Sequence, residues 1–171
     1  PQVATFKLLN DPRTTATEAD LLAQFTFLMK IRDKTTEAND AVKQVRWVRG
    51  EMEDRLTGAP QLRTMATAID SAMSRVEREV YQVKNQSGQD PLNFPVRLNN
   101  RIAALSGVVA SGPYRPTAQS EQVFAELSTA LGVQLTQLKK VFDTDLKRLN
   151  DELQKLGLAP IVPKAEEKPA T

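Results

Sequence analysis

Ten apolar residues between Phe124 and Leu156 follow one another at steps of three or four. They are Phe124, Leu127, Leu131, Leu135, Leu138, Phe142, Leu146, Leu149, Leu153 and Leu156. At about 3.6 residues per turn, that spacing puts all of them on one stripe of an α-helix, with charged residues opposite. A strand alternates every second residue and cannot carry this pattern. The stripe therefore predicts one long helix from Thr117 to Leu156, its apolar side buried against other helices or a partner chain.

The rest of the chain supplies such neighbours. Thr17 is an N-cap residue followed by Glu18 and Asp20, which suit the positive first turn of a helix. From there Leu21, Phe25, Leu28, Ile31, Thr35, Ala38, Val42, Val45, Met52 and Leu56 continue a stripe to about residue 57. It weakens at Thr35-Thr36, where a break is expected if anywhere. Gly58-Ala59-Pro60 stops this helix and restarts the next. The second helix is predicted from Gln61 to Lys84, with Leu62, Met65, Ile69, Met73, Val76, Val80 and Val83 on its buried face. Asn85 to Gln89 reads as a loop. Pro91 and Pro95 constrain the entry to a third helix carrying Val96, Leu98, Ile102, Leu105 and Val109. Ser111-Gly112-Pro113 closes it, and Gly157 stands where a C-cap glycine belongs at the end of the fourth.

The flanks differ. In residues 1–13, Ala4, Phe6 and Leu8 alternate before Asn10-Asp11-Pro12, which predicts a short β-strand or an extended arm. A single strand needs a partner from elsewhere. Residues 159–171 carry Pro160, Pro163 and Pro169 among Lys and Glu, and are expected to be extended, mobile and disordered-like. The expected architecture is thus all-α: an elongated up-down four-helix bundle over residues 14–158, flanked by an arm and a flexible tail.

Composition removes several chemistries. The chain has 171 residues, no His and no Cys. The commonest metal ligands, the usual general base near neutral pH and every thiol nucleophile are missing. The 23 Lys and Arg stand against 21 Asp and Glu, so there is no broad basic field of the kind that binds nucleic acid. No apolar run has the length of a membrane span. Neither a cofactor nor a metal is expected.

Glu51, Glu53 and Asp54, Asp143 with Asp145, and Asp151 with Glu152 are paired carboxylates, as glycoside hydrolysis requires. They are interleaved with Lys and Arg at helical spacing, which reads instead as a solvated face with i,i+4 partners. Ser71 and Ser74 lie near Arg75 rather than near a Lys base. Lys43, Arg46 and Arg49 form a basic stripe beside Trp47, the only tryptophan. These four are the candidate interaction patch; the plain alternative packs Trp47 on the bundle rim with the cations in water. Asn99, Asn100 and Asn150 border apolar stripes, where a buried Asn fixes helix register.

Several stretches together resemble a known family. They are Asp11-Pro12-Arg13 with Thr17-Glu18-Ala19-Asp20-Leu21, Asp90-Pro91-Leu92-Asn93-Phe94-Pro95 running into Leu98-Asn99-Asn100-Arg101-Ile102-Ala103-Ala104-Leu105, Pro116-Thr117, and Leu149-Asn150. The chain resembles the C-terminal helical region of bacterial sortilin-like, BNR-repeat proteins often labelled glycosyl hydrolases. That resemblance implies an extracytoplasmic protein in which a preceding β-propeller carries any substrate site. It would also give the orphan strand a β-region to finish. No Asp-box of the form Ser-x-Asp-x-Gly-x-x-Trp occurs here. The expected function is a non-catalytic helical interaction or assembly domain, within a larger extracytoplasmic protein or as a complex subunit. Its partner would be a protein or the preceding β-domain, and an oligomer is compatible. The alternatives are a fragment that buttresses a glycoside-hydrolase-like active site lying outside the chain, and an adaptor holding a target helix in a groove.

Overall fold

The structure, a computed structural model, describes residues 2–7 and 9–164. Helix makes up 70% of the chain, and there is no strand among the described residues. The helices are α1 (Glu18–Leu56), α2 (Arg63–Val80), α3 (Leu98–Val109), α4 (Ala118–Lys140) and α5 (Lys147–Lys155). A π-helical stretch, Val141–Leu146, carries α4 into α5 without leaving helical dihedrals. α4 and α5 are therefore one rod, and four helical rods of unequal length pack together.

Local chemistry sets the starts and stops. The Thr17 hydroxyl accepts from the Asp20 N–H at 3.2 Å, while the Asp20 carboxylate accepts from the Thr17 N–H at 3.1 Å. This reciprocal capping box satisfies two donors that a helix start leaves orphaned. Thr117 caps α4 through the Ser120 N–H at 3.2 Å. α5 ends in a Schellman turn: Gly157 takes φ 72°, Leu158 N–H reaches the Leu153 carbonyl and Gly157 N–H that of Gln154, each at 3.0 Å.

α1 runs unbroken through Thr35-Thr36, where the Thr35 hydroxyl donates back to the Ile31 carbonyl at 2.8 Å. α2 stops at Val80, short of the expected Lys84. Tyr81 turns extended and the buried Gln82 side chain donates to the Pro95 carbonyl at 2.8 Å, tying down the loop instead. Val83 and Val96 consequently lie exposed, outside any helix. At the start of α1 the buried residue is Phe27 rather than Phe25, because Phe27 meets Phe124 edge to face at 5.3 Å between centroids.

The packing corrects the up-down order. Arg46 pairs with Glu77 and Arg49 with Asp70, so α2 runs against the second half of α1. Asn99 bonds Asn39, and Gln24 donates to the Val109 carbonyl at 2.7 Å, so α3 runs against the first half. α2 and α3 thus point the same way, end to end, along one side of α1. The fourth helix starts beside the start of α1 (Phe124 on Phe27) and ends beside its end (Leu158 at Gly58). The result is up, down in two pieces, then up. The loop between α2 and α3 contains Gly88, Pro91 and Pro95, which break the middle rod without reversing it.

The fourth-helix stripe is buried much as expected, with Leu127, Leu131, Leu138, Leu146, Leu149 and Leu153 inside and Leu156 left exposed. Val141 is buried too, and the interval of five to Leu146 spans the π-helical stretch, whose hydrogen bonds skip an extra residue.

Of the two alternatives for the N-terminal flank, the strand is not formed among the described residues. The arm turns at Pro12-Arg13 and leaves Val3, Phe6 and Leu9 in solvent. Leu8 lies outside the described residues. The described part of the tail, expected to be mobile, is packed rather than loose: Ile161 is 1% exposed and belongs to the main core. The remainder of the tail lies outside the described residues.

Two substitutions should move stability in opposite directions in denaturant melts. Leu138→Asp places an unpaired charge where only 3% of the residue sees solvent, and should unfold the domain at a cost of about 4 kcal/mol or more. Gly50→Ala adds a methyl to an exposed mid-helix site with nothing within 4 Å, and should stabilise by about 0.5–1 kcal/mol. The α1 cap should be acid-sensitive. Hydrogen bonds from the Thr17 hydroxyl and N–H, and one from Arg115, hold the Asp20 carboxyl below its ordinary 3.8. A depressed folded-state value means the cap contributes above that ordinary value and is lost as pH falls through the folded one. Protection of the first α1 amides should fall there ahead of the core amides, and Asp20→Asn should remove the dependence.

Candidate interaction surface

The four residues of the basic stripe occupy two turns of α1, so their directions follow from helix geometry. Arg46 and Arg49 are about 60° apart around the axis, while Trp47 and Arg49 are about 160° apart. One side chain set therefore faces α2 and the other faces away, and the structure does not gather the four into one patch.

Arg46 and Arg49 turn inward to a single acceptor. Glu77 of α2 is 5% exposed. Its two carboxylate oxygens each accept from a guanidinium, Arg46 Nε and Arg49 Nη2, both at 2.9 Å. Arg49 also donates to Asp70 at 2.6 Å and to the Ser74 hydroxyl at 3.0 Å. Burial alone would lower the Arg49 pKa, but the hydrogen bonds and charges of Asp70 and Glu77 outweigh it and hold the group above its ordinary value. Arg46 lies over the Tyr81 ring at 4.9 Å. These cations clamp α1 to α2.

Trp47 faces the other way, toward the C-terminal segment. Its indole N–H donates to the Val162 carbonyl at 3.2 Å, and the Lys164 ammonium sits 6.0 Å from the ring centre. Lys43, on the same side, pairs with Asp40 at 2.8 Å. Two further side chains grip the segment. Arg55 Nε donates to the Ala159 carbonyl at 3.1 Å. Asn150 of α5 makes a two-point contact with Ile161, donating to its carbonyl and accepting from its N–H, both at 2.8 Å. Asn150 therefore anchors the tail, whereas Asn99 is the residue that pairs across helices, to Asn39 at 3.2 Å. Asn100 is exposed.

The carboxylate pairs behave as helix-surface charges. Glu51 pairs with Arg55, Asp143 with Lys139, Asp151 with Lys147 and Glu152 with Lys155, each three or four residues away. Among the described residues no group of three or more acidic side chains is placed to hold a metal ion, and no helix is long and apolar enough to cross a membrane. A groove of about 400 Å³ runs between α1 and α4 beside Pro163, with Glu37, Gln44, Lys139 and Asp143 on its rims and Leu138 and Phe142 on its floor.

Sequence reasoning missed the grip on the tail because its acceptors are backbone carbonyls, which any residue carries. The signals that were present are the isolated apolar pair Ile161-Val162 and an Asn at position 150 inside a leucine stripe.

No protein-family model, no curated protein and no solved structure matches this chain. The resemblance to the helical region of BNR-repeat proteins thus bears only on the proposal below.

Replacing Arg46 and Arg49 together by Met would leave the Glu77 carboxylate buried without a partner, and should cost about 3–5 kcal/mol in chemical denaturation. Adding Glu77→Met should recover most of that loss, because no uncompensated charge then remains inside.

Proposed function

We propose that this chain is a helical interaction or assembly module, not a catalyst, and that it works through the end of the bundle where α1 begins. The observation that supports this reading is where the apolar surface lies. Val3, Phe6 and Leu9 of the arm are three-quarters or more exposed, and Leu22 and Phe25 in the first turns of α1 are more than half exposed. Val108, Tyr114 and Val123, at the α3 end and the α4 start, are exposed at this same end. Exposed apolar residues also occur elsewhere, Leu92 among them, but this group shares one end of the bundle and suits a surface that another polypeptide covers.

The arm suits a β-rich partner. Residues 2–7 have no regular secondary structure and carry no backbone hydrogen bond among the described residues. Such a segment can add as a strand to an exposed sheet edge, its main chain supplying the bonds and alternate side chains the specificity. The resemblance to sortilin-like, BNR-repeat proteins points to the same partner: a β-domain of the same extracytoplasmic protein, or a separate subunit. The helical rods would then be the buttress, with any substrate chemistry outside this chain.

Light scattering during gel filtration tests the reading. The isolated chain should self-associate as concentration rises. Leu22→Glu with Phe25→Glu should suppress this while leaving the helical circular dichroism and melting temperature intact, since neither residue is in the core. A chain that is monomeric at every concentration, and indifferent to both substitutions, would remove the proposal.

A further inference from the structure

The opposite end of the molecule carries a second feature, built from different residues. The described C-terminal segment, residues 158–164, has no regular secondary structure and lies against α1 and α5. It is held by its main chain. Arg55, Asn150 and Trp47 bond the backbone of Ala159, Ile161 and Val162 through four hydrogen bonds of 2.8–3.2 Å. Only one of its side chains is swallowed whole, that of Ile161. Pro160 and Pro163 flank this anchor and have no N–H to satisfy, so a furrow that offers mostly donors suits the segment well. Their rings also preset an extended backbone, which lowers the entropy lost on docking.

This combination is how sites that read extended peptides are made. Side chains that bond the main chain accept many sequences, and one pocket selects for a residue. We propose that the furrow between α1 and α5 is a recognition site for an extended, proline-flanked aliphatic peptide of a partner protein, and that the chain's own residues 158–164 are a latch occupying it in cis. The occupant is defined by the segment already seated there: an aliphatic side chain for the Ile161 pocket, prolines one residue before it and two after, and free carbonyls on either side. The tether is short, because Gly157 turns the chain from α5 directly into the furrow. A short link gives the latch an effective concentration of order millimolar, so a weak intrinsic affinity keeps it closed against free competitors. Opening would leave α1 to α4 packed, since Leu127 and Leu131 lie in the core shared by the helical rods.

Trp47, the only tryptophan and a direct contact of the segment, reports occupancy by fluorescence. The probe is a synthetic peptide copying residues 158–164, Leu-Ala-Pro-Ile-Val-Pro-Lys, added to the full chain. Ile161→Asp should release the latch while far-ultraviolet circular dichroism stays helical, and this variant should bind the peptide. The unaltered chain should bind it about tenfold or more weakly, because its own segment competes. A peptide with Asp at the Ile161 position should not bind, and adding Asn150→Ala to the variant should abolish binding. Where Ile161→Asp costs helicity, the milder Ile161→Ala carries the same assay. A folded latch-released chain that ignores the peptide, or binds it regardless of Asn150, overturns the proposal, as does loss of the whole fold in both variants. Amide exchange on the unaltered chain gives a separate reading. The Ile161 N–H should exchange through an opening that leaves the α4 core amides protected, and exchange of both only through global unfolding would show a structural staple instead of a latch.

Discussion

A rod of 39 residues has an apolar side that a helix of 18 residues, or of 12, cannot cover alone. At about 1.5 Å per residue α1 is close to 60 Å long. The solution is to lay α2 and α3 head to tail along it and to let the α4–α5 rod span both. This one constraint explains the connections. The α2–α3 loop must advance along α1 instead of turning back, which is why it is long, proline-bearing and tied down by the Gln82 side chain. The link from α1 to α2 and the link from α3 to α4 must each reverse direction, and both are short and carry Gly with Pro.

Apolar stripes on long rods slide past one another at little cost, so register needs polar contacts at particular places. Three of them fix α1 against the broken rod: Gln24 on the carbonyls of Val109 and Gly112, Asn39 with Asn99, and the two arginines on Glu77. Their net contribution to stability is small against a core of this size, because the desolvation of Glu77 offsets much of the attraction. What they supply is discrimination, since a shift of one turn would strand a buried carboxylate and an amide without partners.

Helix faces and helix ends were legible in the sequence because both depend on neighbours within a few residues. The leucine stripe from Phe124, the caps at Thr17 and Thr117, the restart at Pro60 and the turn at Gly157 all have local causes. The direction of α3 relative to α2 was not legible, because short connections look alike whether the chain reverses or advances. The choice of Phe27 over Phe25 was not legible either, since both lie close to the apolar side and only Phe124, nearly a hundred positions away, decides between them. The basic stripe was misleading in an informative way. Charges four residues or fewer apart look like one patch on paper, yet 100° per residue sends Arg49 to α2 and Trp47 to the tail. The tail itself combined proline, lysine and glutamate, which composition reads as mobile, while one buried isoleucine and bonds to its main chain seat the described part.

The two ends of the molecule are finished in different ways, and the difference bears on how it would be used. At the far end of α1 the chain covers its own furrow with Leu158 and Ile161, although Trp47, Leu156 and Val162 stay exposed around it. At the near end nothing comparable folds back among the described residues. Gln24 ties the α3–α4 connection to α1, but Leu22 and Phe25 point away from that contact and remain in solvent. Sequence cost does not explain the asymmetry, because the arm preceding α1 carries Val3, Phe6 and Leu9, apolar enough to have packed on the same helix. Under the proposed reading, the described arm leaves that end bare because the surface is reserved for another polypeptide. A stiff α1 would then hold that surface at a fixed distance of several nanometres from whatever engages the furrow at its other end.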